Sequence, residues 1–271
     1  MERAKGILYA ALSSSTFGLA PLFTLLLLGL GYSSFEVLSY RWGVASLFLG
    51  ALALLAGRSF RLSWPELRTV FFLSLFRAAT SLAVALAMMC FFREKGSVWV
   101  FAAIGMSIVG AVLLSLGNVD FTRGNTTLGM VSAAVSVVSY GGYIVGVRKS
   151  RAVGIDSTVL TCYVMGLGAL YFIAGGLVTG GIRIETDGTA WLCILGVALP
   201  ATAVSNMTLV QAIKRIGPTL TSVFGALEPL TAVVIGVAVF GEPFTVQGAA
   251  GILLIVAAVT IVILHSGRRK A

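Results

Sequence analysis

The sequence predicts an all-α membrane protein of ten spanning helices, arranged as two inverted five-helix repeats. Three observations predict it: the composition, a series of apolar segments of spanning length, and a weak internal repetition. Of 271 residues, 58% are hydrophobic and 11% charged, and the mean hydropathy is +1.01. That leaves too little polar surface to cover a water-soluble domain of this size. At roughly 20 residues per span plus short turns, the chain has room for about nine or ten spans and no separate soluble domain.

Apolar segments bounded by charge, Gly or Pro fall at 6–30, 35–57, 66–82, 83–92, 98–117, 127–147, 157–180, 189–213, 218–240 and 245–265. The first, beginning at Ile7, is too long for a signal-peptide core and has no small-residue cleavage site, so it reads as a retained helix. Segments 66–82 and 83–92 run together and by themselves read as one helix. Internal repetition argues otherwise. A shift of 123 residues aligns Gly6, Ala10, Ser13, Phe17 and Gly18 with Gly129, Ala133, Ser136, Tyr140 and Gly141. A shift of 148 aligns Phe92, Glu94, Val98 and Leu116 with Phe240, Glu242, Val246 and Leu264. The offset widens by about one helix and its turn. The first half is therefore expected to lack part of its third and fourth helices, between Phe76 and Ala83.

Charge placement supports ten spans over nine. With ten, Arg3, Lys5, Arg58, Arg61, Arg68, Arg93, Lys95, Arg148, Lys149, Arg151, Lys214, Arg215, Arg268, Arg269 and Lys270 fall on the cytoplasmic side, and only Arg123 and Arg183 lie outside. Reading 66–92 as one helix places most charges after it on the wrong face. Both termini are then cytoplasmic. The formal net charge of +9 records topology, and no basic run with interleaved aromatics suggests nucleic acid. The expected organisation is a first repeat at 1–117, incomplete near 77–83, a second at 127–265, and a basic cytoplasmic tail at 266–271. Five helices per half is an odd number, so the halves enter the bilayer from opposite sides. Such pairs bind substrate near the midplane and work by alternating access.

Glu228 is the sharpest candidate, lying ten residues into its segment and so about 15 Å deep. A carboxylate there either faces a cavity on a substrate or proton pathway or is hydrogen-bonded in helix packing. Pro229 withdraws a backbone donor from the carbonyl of Gly225, and Pro21 and Pro200 are further in-membrane breakers. Ser13 belongs to a Ser/Thr run that serves either binding or interhelical hydrogen bonds. Asn206, with Thr202, Ser205 and Gln211, lies in the most polar intramembrane stretch. Arg41 either snorkels to the interface, pairs with Glu228, or holds a substrate carboxylate. Arg77 falls at the uncertain join and receives no role. Phe17, Tyr140, Tyr143, Tyr163 and Phe224 either line an apolar pocket with polar tips or serve helix packing.

Cys90, Cys162 and Cys193 lie within apolar segments without metal or disulfide spacing, and His265 is the only histidine. No nucleophile constellation, metal site, dinucleotide fingerprint or P-loop is visible, so neither enzymatic activity nor a cofactor is expected.

Residues 212–264, AIKRIGPTLTSVFGALEPLTAVVIGVAVFGEPFTVQGAAGILLIVAAVTIVIL, resemble the last two helices of EamA proteins of the drug/metabolite transporter superfamily. The Glu-Pro at 228–229 and the Gly-Glu at 241–242 carry the resemblance, and Arg93-Glu94 with Arg41 is a weaker copy in the first half. Ser81 stands where that family usually has Pro. The resemblance implies ten helices, cytoplasmic termini and export of amino acids, with YddG-like exporters of aromatic and neutral amino acids as the leading subtype. It places the chain in the bacterial inner membrane. The expected partners are a small-molecule substrate and lipid, and nothing in the sequence requires more than a monomer. The competing readings are a sugar or nucleotide-sugar carrier and a membrane structural protein.

Overall fold

A computed structural model describes residues 2–78, 106, 109–110, 126–241 and 245–267. All regular structure among these residues is helical. The helices are α1 (Glu2–Phe17), α2 (Ala20–Gly29), α3 (Ser34–Leu55), α4 (Trp64–Ala78), α5 (Thr126–Lys149), α6 (Ser157–Thr179), α7 (Gly188–Ala198), α8 (Ser205–Ile216), α9 (Pro218–Phe224), α10 (Leu227–Phe240) and α11 (Val246–Gly267). Five of the resulting spans are long and apolar enough to cross a membrane: α1–α2, α3, α6, α7–α8 and α9–α10. Cys90, Glu94, Ser81 and Arg123, and residues 79–83 of the join expected near 77–83, lie outside the described residues.

Local chemistry sets the helix ends. Ser33 and Glu36 form a capping box on α3, with the Ser33 hydroxyl accepting from the Glu36 amide at 3.2 Å and the Glu36 carboxylate from the Ser33 amide at 2.7 Å. Asp156 and Asp187 accept the first free amides of α6 and α7.

Helix contacts run through small residues, as they must where lipid offers no hydrophobic drive between helices. α3 lies antiparallel on α6. Trp42 covers Gly168 so closely that a Cβ there would stand 1.9 Å from the indole, and Phe35 covers Gly175 in the same way. Ser46 donates to the Cys162 carbonyl at 2.9 Å, fixing the register. Leu73 and Phe76 of α4 lie on Gly146 and Gly142 of α5. α1 lies along α8, where Gly6 meets Ile216 and the Ser13 hydroxyl donates to the Ser205 carbonyl at 2.8 Å. Ser13 thus serves an interhelical bond. Gly110 of the first half touches Gly251 and Ile255 of α11.

Three spans are broken within their length. α1 gives way to α2 at Gly18–Leu19, and Pro21 in the first turn of α2 brings no amide to the carbonyl of Phe17. α7 passes into α8 through a wide π-helical stretch, Leu199–Val204, that opens at Pro200. α9 passes into α10 at Gly225–Ala226. Here one expectation is corrected. The Gly225 carbonyl is not left free by Pro229, because a tightened turn lets the Glu228 amide reach it at 3.0 Å. Gly18 brings two of the breaks together: a Cβ on it would stand 2.7 Å from the Glu228 carbonyl oxygen and 2.5 Å from Thr231.

Candidate functional site: an arginine pair and a glutamate at the helix breaks

The breaks create the site. Within the π-helical stretch, the Thr202 hydroxyl donates to the Val197 carbonyl at 2.7 Å, satisfying a group that the widened turn would strand. Its oxygen is then free to accept from Arg41 Nε of α3 at 2.5 Å. One turn on, Asn206 donates its amide to the Thr202 carbonyl at 2.7 Å, which orients its oxygen outward from α8. That oxygen accepts from Arg77 of α4 through Nε at 2.8 Å and Nη2 at 2.5 Å. Two guanidinium groups from different helices are therefore seated on neighbouring turns of one broken span.

Aromatic rings complete both seats. The Arg41 guanidinium carbon is 5.1 Å from the centroid of Phe17, and that of Arg77 is 5.7 Å from the same ring. Arg77 is also 5.3 Å from Tyr140 and 5.5 Å from Tyr143, whose rings are stacked 6.5 Å apart. Each cation–ring contact contributes about 0.5–1 kcal/mol at an exposed site and about 2 when desolvated. Arg77 is only 4% exposed and Asn206 1%. A neutral amide and three rings hold Arg77 in place without cancelling its charge.

Glu228, half-buried in the first turn of α10, is the nearby anion. It lies within electrostatic reach of Arg41 and Arg77, but its carboxylate has no hydrogen-bond or ion-pair partner among the described residues. The start of a half-helix suits a carboxylate, since the helix dipole favours negative charge there. With both arginines and Glu228 ionised, the cluster carries one net positive charge.

The sequence expectations divide accordingly. Arg41, Asn206, Phe17, Tyr140, Tyr143 and Glu228 come together, and Pro21, Pro200 and Pro229 sit at the three breaks. Arg41 turns inward to Thr202, which rules out the snorkelling reading. For the rings the sequence offered either an apolar pocket with polar tips or helix packing; Phe17, Tyr140 and Tyr143 lie beside guanidinium groups. Tyr163 is elsewhere, its hydroxyl donating to the Phe60 carbonyl at 3.0 Å in the loop after α3. Phe224 is elsewhere too, buried against Ala10, Ala212 and Val259. Arg77, which the sequence reading named without a role, and Thr202, which it named only as part of the polar stretch around Asn206, are the further members of the site. The signal for Arg77 was an arginine inside an apolar run, the same signal that singled out Glu228.

Residues 127–264 match the model of the EamA-like transporter family, just over half of the chain. The chain belongs to the EamA-like transporter family. A crystal structure with 17% sequence identity matches this EamA-like chain with a TM-score of 0.78, over 99% of this chain and 100% of its own, a likeness of fold. A search of the curated proteins gives no match. The family and the five apolar spans make the protein a multi-pass membrane transporter, acting on a small molecule across a lipid bilayer.

Proposed function

We propose that this EamA-like transporter exports amino acids, aromatic or otherwise neutral in side chain, across the bacterial inner membrane by alternating access. The observation that carries the reading is the gathering of Arg41, Arg77, Asn206 and Glu228 at three helix breaks. A zwitterion needs one cationic and one anionic pole about an amino acid's width apart, and a midplane site built from interrupted helices can supply both. Two repeats, 1–117 and 127–265, rocking against each other with both termini and the basic tail 266–271 in the cytoplasm, provide the movement. What supports the repeat reading is that α1 lying on α8 has its counterpart in α5 lying on α4, while α3 and α6 pair with each other. A YddG-like exporter working as a monomer is the subtype this fits.

The second arginine also favours a carrier of anionic metabolites, including nucleotide-sugars. Glu228, within reach of both guanidinium groups, would repel a diphosphate. Purified protein in proteoliposomes, offered labelled amino acids, sugars, nucleotide-sugars and organic cations, tests the reading. Saturable flux of neutral amino acids is expected, whereas flux confined to nucleotide-sugars, or none from folded protein, contradicts it.

A further inference from the structure

Phe17, Tyr140 and Tyr143 each have a guanidinium group over the ring, so the face so covered is not open to a substrate side chain. Their effect is on Arg77. A guanidinium has five N–H donors in a planar fork. Among the described residues, Asn206 takes two of those of Arg77, and no carboxylate lies within ion-pair distance. A buried cation satisfied by one neutral acceptor retains most of its attraction for an anion, because little water competes with it. Arg41 is in the same condition on the adjacent turn, bound to a hydroxyl. Among the described residues, the Tyr143 hydroxyl, on a fully buried ring beside Arg77, has no hydrogen-bond partner. Among the described residues, two guanidinium groups on α3 and α4, each bonded to a neutral acceptor, and one unpartnered hydroxyl on α5 thus gather around Arg77, and with Glu228 ionised the cluster has one positive charge to spare.

From this arrangement we infer that Arg77 is the specificity-determining residue of the site, seating the carboxylate of the substrate with help from Arg41, while Glu228 faces its ammonium group. This rests on the amino-acid reading above and deepens it. Recognition is led by the carboxylate, and side-chain identity is read weakly because the rings are spent on holding the arginine. A substrate carboxylate supplies the missing acceptors and cancels the surplus charge. A ligand without one leaves two buried cations facing a third positive group.

The test is competition against labelled neutral amino acid uptake in proteoliposomes, with three analogues of the same side chain: the amino acid, its 2-oxo acid and its amino-acid amide. The 2-oxo acid, which keeps the carboxylate and lacks the ammonium, is expected to compete within about tenfold of the amino acid, and the amide at least about tenfold more weakly than the 2-oxo acid. Arg77→Lys, which keeps the charge and loses the fork, is expected to weaken both carboxylates by about tenfold, and Arg77→Gln by more. The wild-type comparison decides the matter even if both variants fail to fold. An amide that competes as well as the 2-oxo acid, or folded Arg77→Gln with unchanged affinity, overturns the inference and leaves amino-acid transport standing. Absence of amino acid flux in wild type overturns both.

Discussion

Glu228 and Gly168 show how differently single residues weigh in this bundle. Glu228 shares a low-dielectric site with two arginines, and removing its charge leaves both cations less compensated. Glu228→Gln is therefore expected to lower transport at least about tenfold with the protein still folded, as read by proteoliposome flux beside a thermal melt; a wild-type rate would remove the carboxylate from the mechanism. Gly168 bears on stability alone. A Cβ there would stand 1.9 and 2.0 Å from two atoms of the Trp42 indole, which also makes an edge contact with Phe172 at 5.1 Å. Ala gains about 1 kcal/mol of helix propensity over Gly, against about 1–3 kcal/mol for forcing Trp42 and α3 aside. Gly168→Ala is expected to lower the melting temperature in detergent, and Gly168→Leu to lower it further. An unchanged melt would contradict the close crossing of α3 and α6.

At the scale of elements, the loops joining α2 to α3 and α6 to α7 are tied together. Tyr32 donates to the Glu185 carboxylate, Arg183 holds Glu36 at 3.2 Å and covers the Tyr32 ring at 4.1 Å, and the Tyr40 hydroxyl donates to the Arg183 carbonyl at 2.6 Å. The hydrogen bond from Tyr32 holds the Glu185 carboxyl below its usual range, while burial and the Glu185 carboxylate push the Tyr32 phenol up. The signs give a window. A depressed carboxyl contributes stability above its unfolded value, near 4.3, and loses it as pH falls through the folded one; a raised phenol contributes below about 10 and loses it as pH rises further. Hydrogen exchange at 180–187 is expected to be slow from about pH 5 to 9 and to quicken in acid relative to its intrinsic rate. Glu185→Gln should remove the acid limb; an identical profile in that variant would show that the tie does not depend on this carboxylate.

The helix breaks were largely legible, because Pro21, Pro200 and Pro229 announce a missing donor whatever surrounds them. What proline could not announce was the response of the neighbouring backbone. The π-helical turn at 199–204 aims Thr202 and Asn206 at two arginines, and the tightened turn at 225–226 takes up the Gly225 carbonyl. Those depend on tertiary contacts that a linear pattern does not hold.

For the whole molecule, the all-helical, membrane-spanning character was readable because each helix must satisfy its backbone internally and so declares itself by length and hydropathy. Which residues meet across helices was readable only where cost gave them away. A glutamate or an asparagine at mid-depth is expensive and stands out, but a ring is at home anywhere in a bundle. Tyr140 and Tyr143 at the site therefore could not be told from Tyr163 at the loop or Phe224 in α9. Arg77 was obscured because it falls at the join that the internal repetition left ambiguous in the sequence.

In the proposed mechanism, Arg41, Arg77, Asn206 and Glu228 surround the substrate at a point reached in turn from both sides of the membrane. Thiol labelling of Thr202→Cys, in a background with Cys90, Cys162 and Cys193 replaced by Ala, tests it most directly. Modification is expected from a membrane-impermeant reagent added from either side of sealed vesicles, slowed in both cases by saturating amino acid. Labelling from neither side, or labelling that substrate leaves untouched, would contradict it.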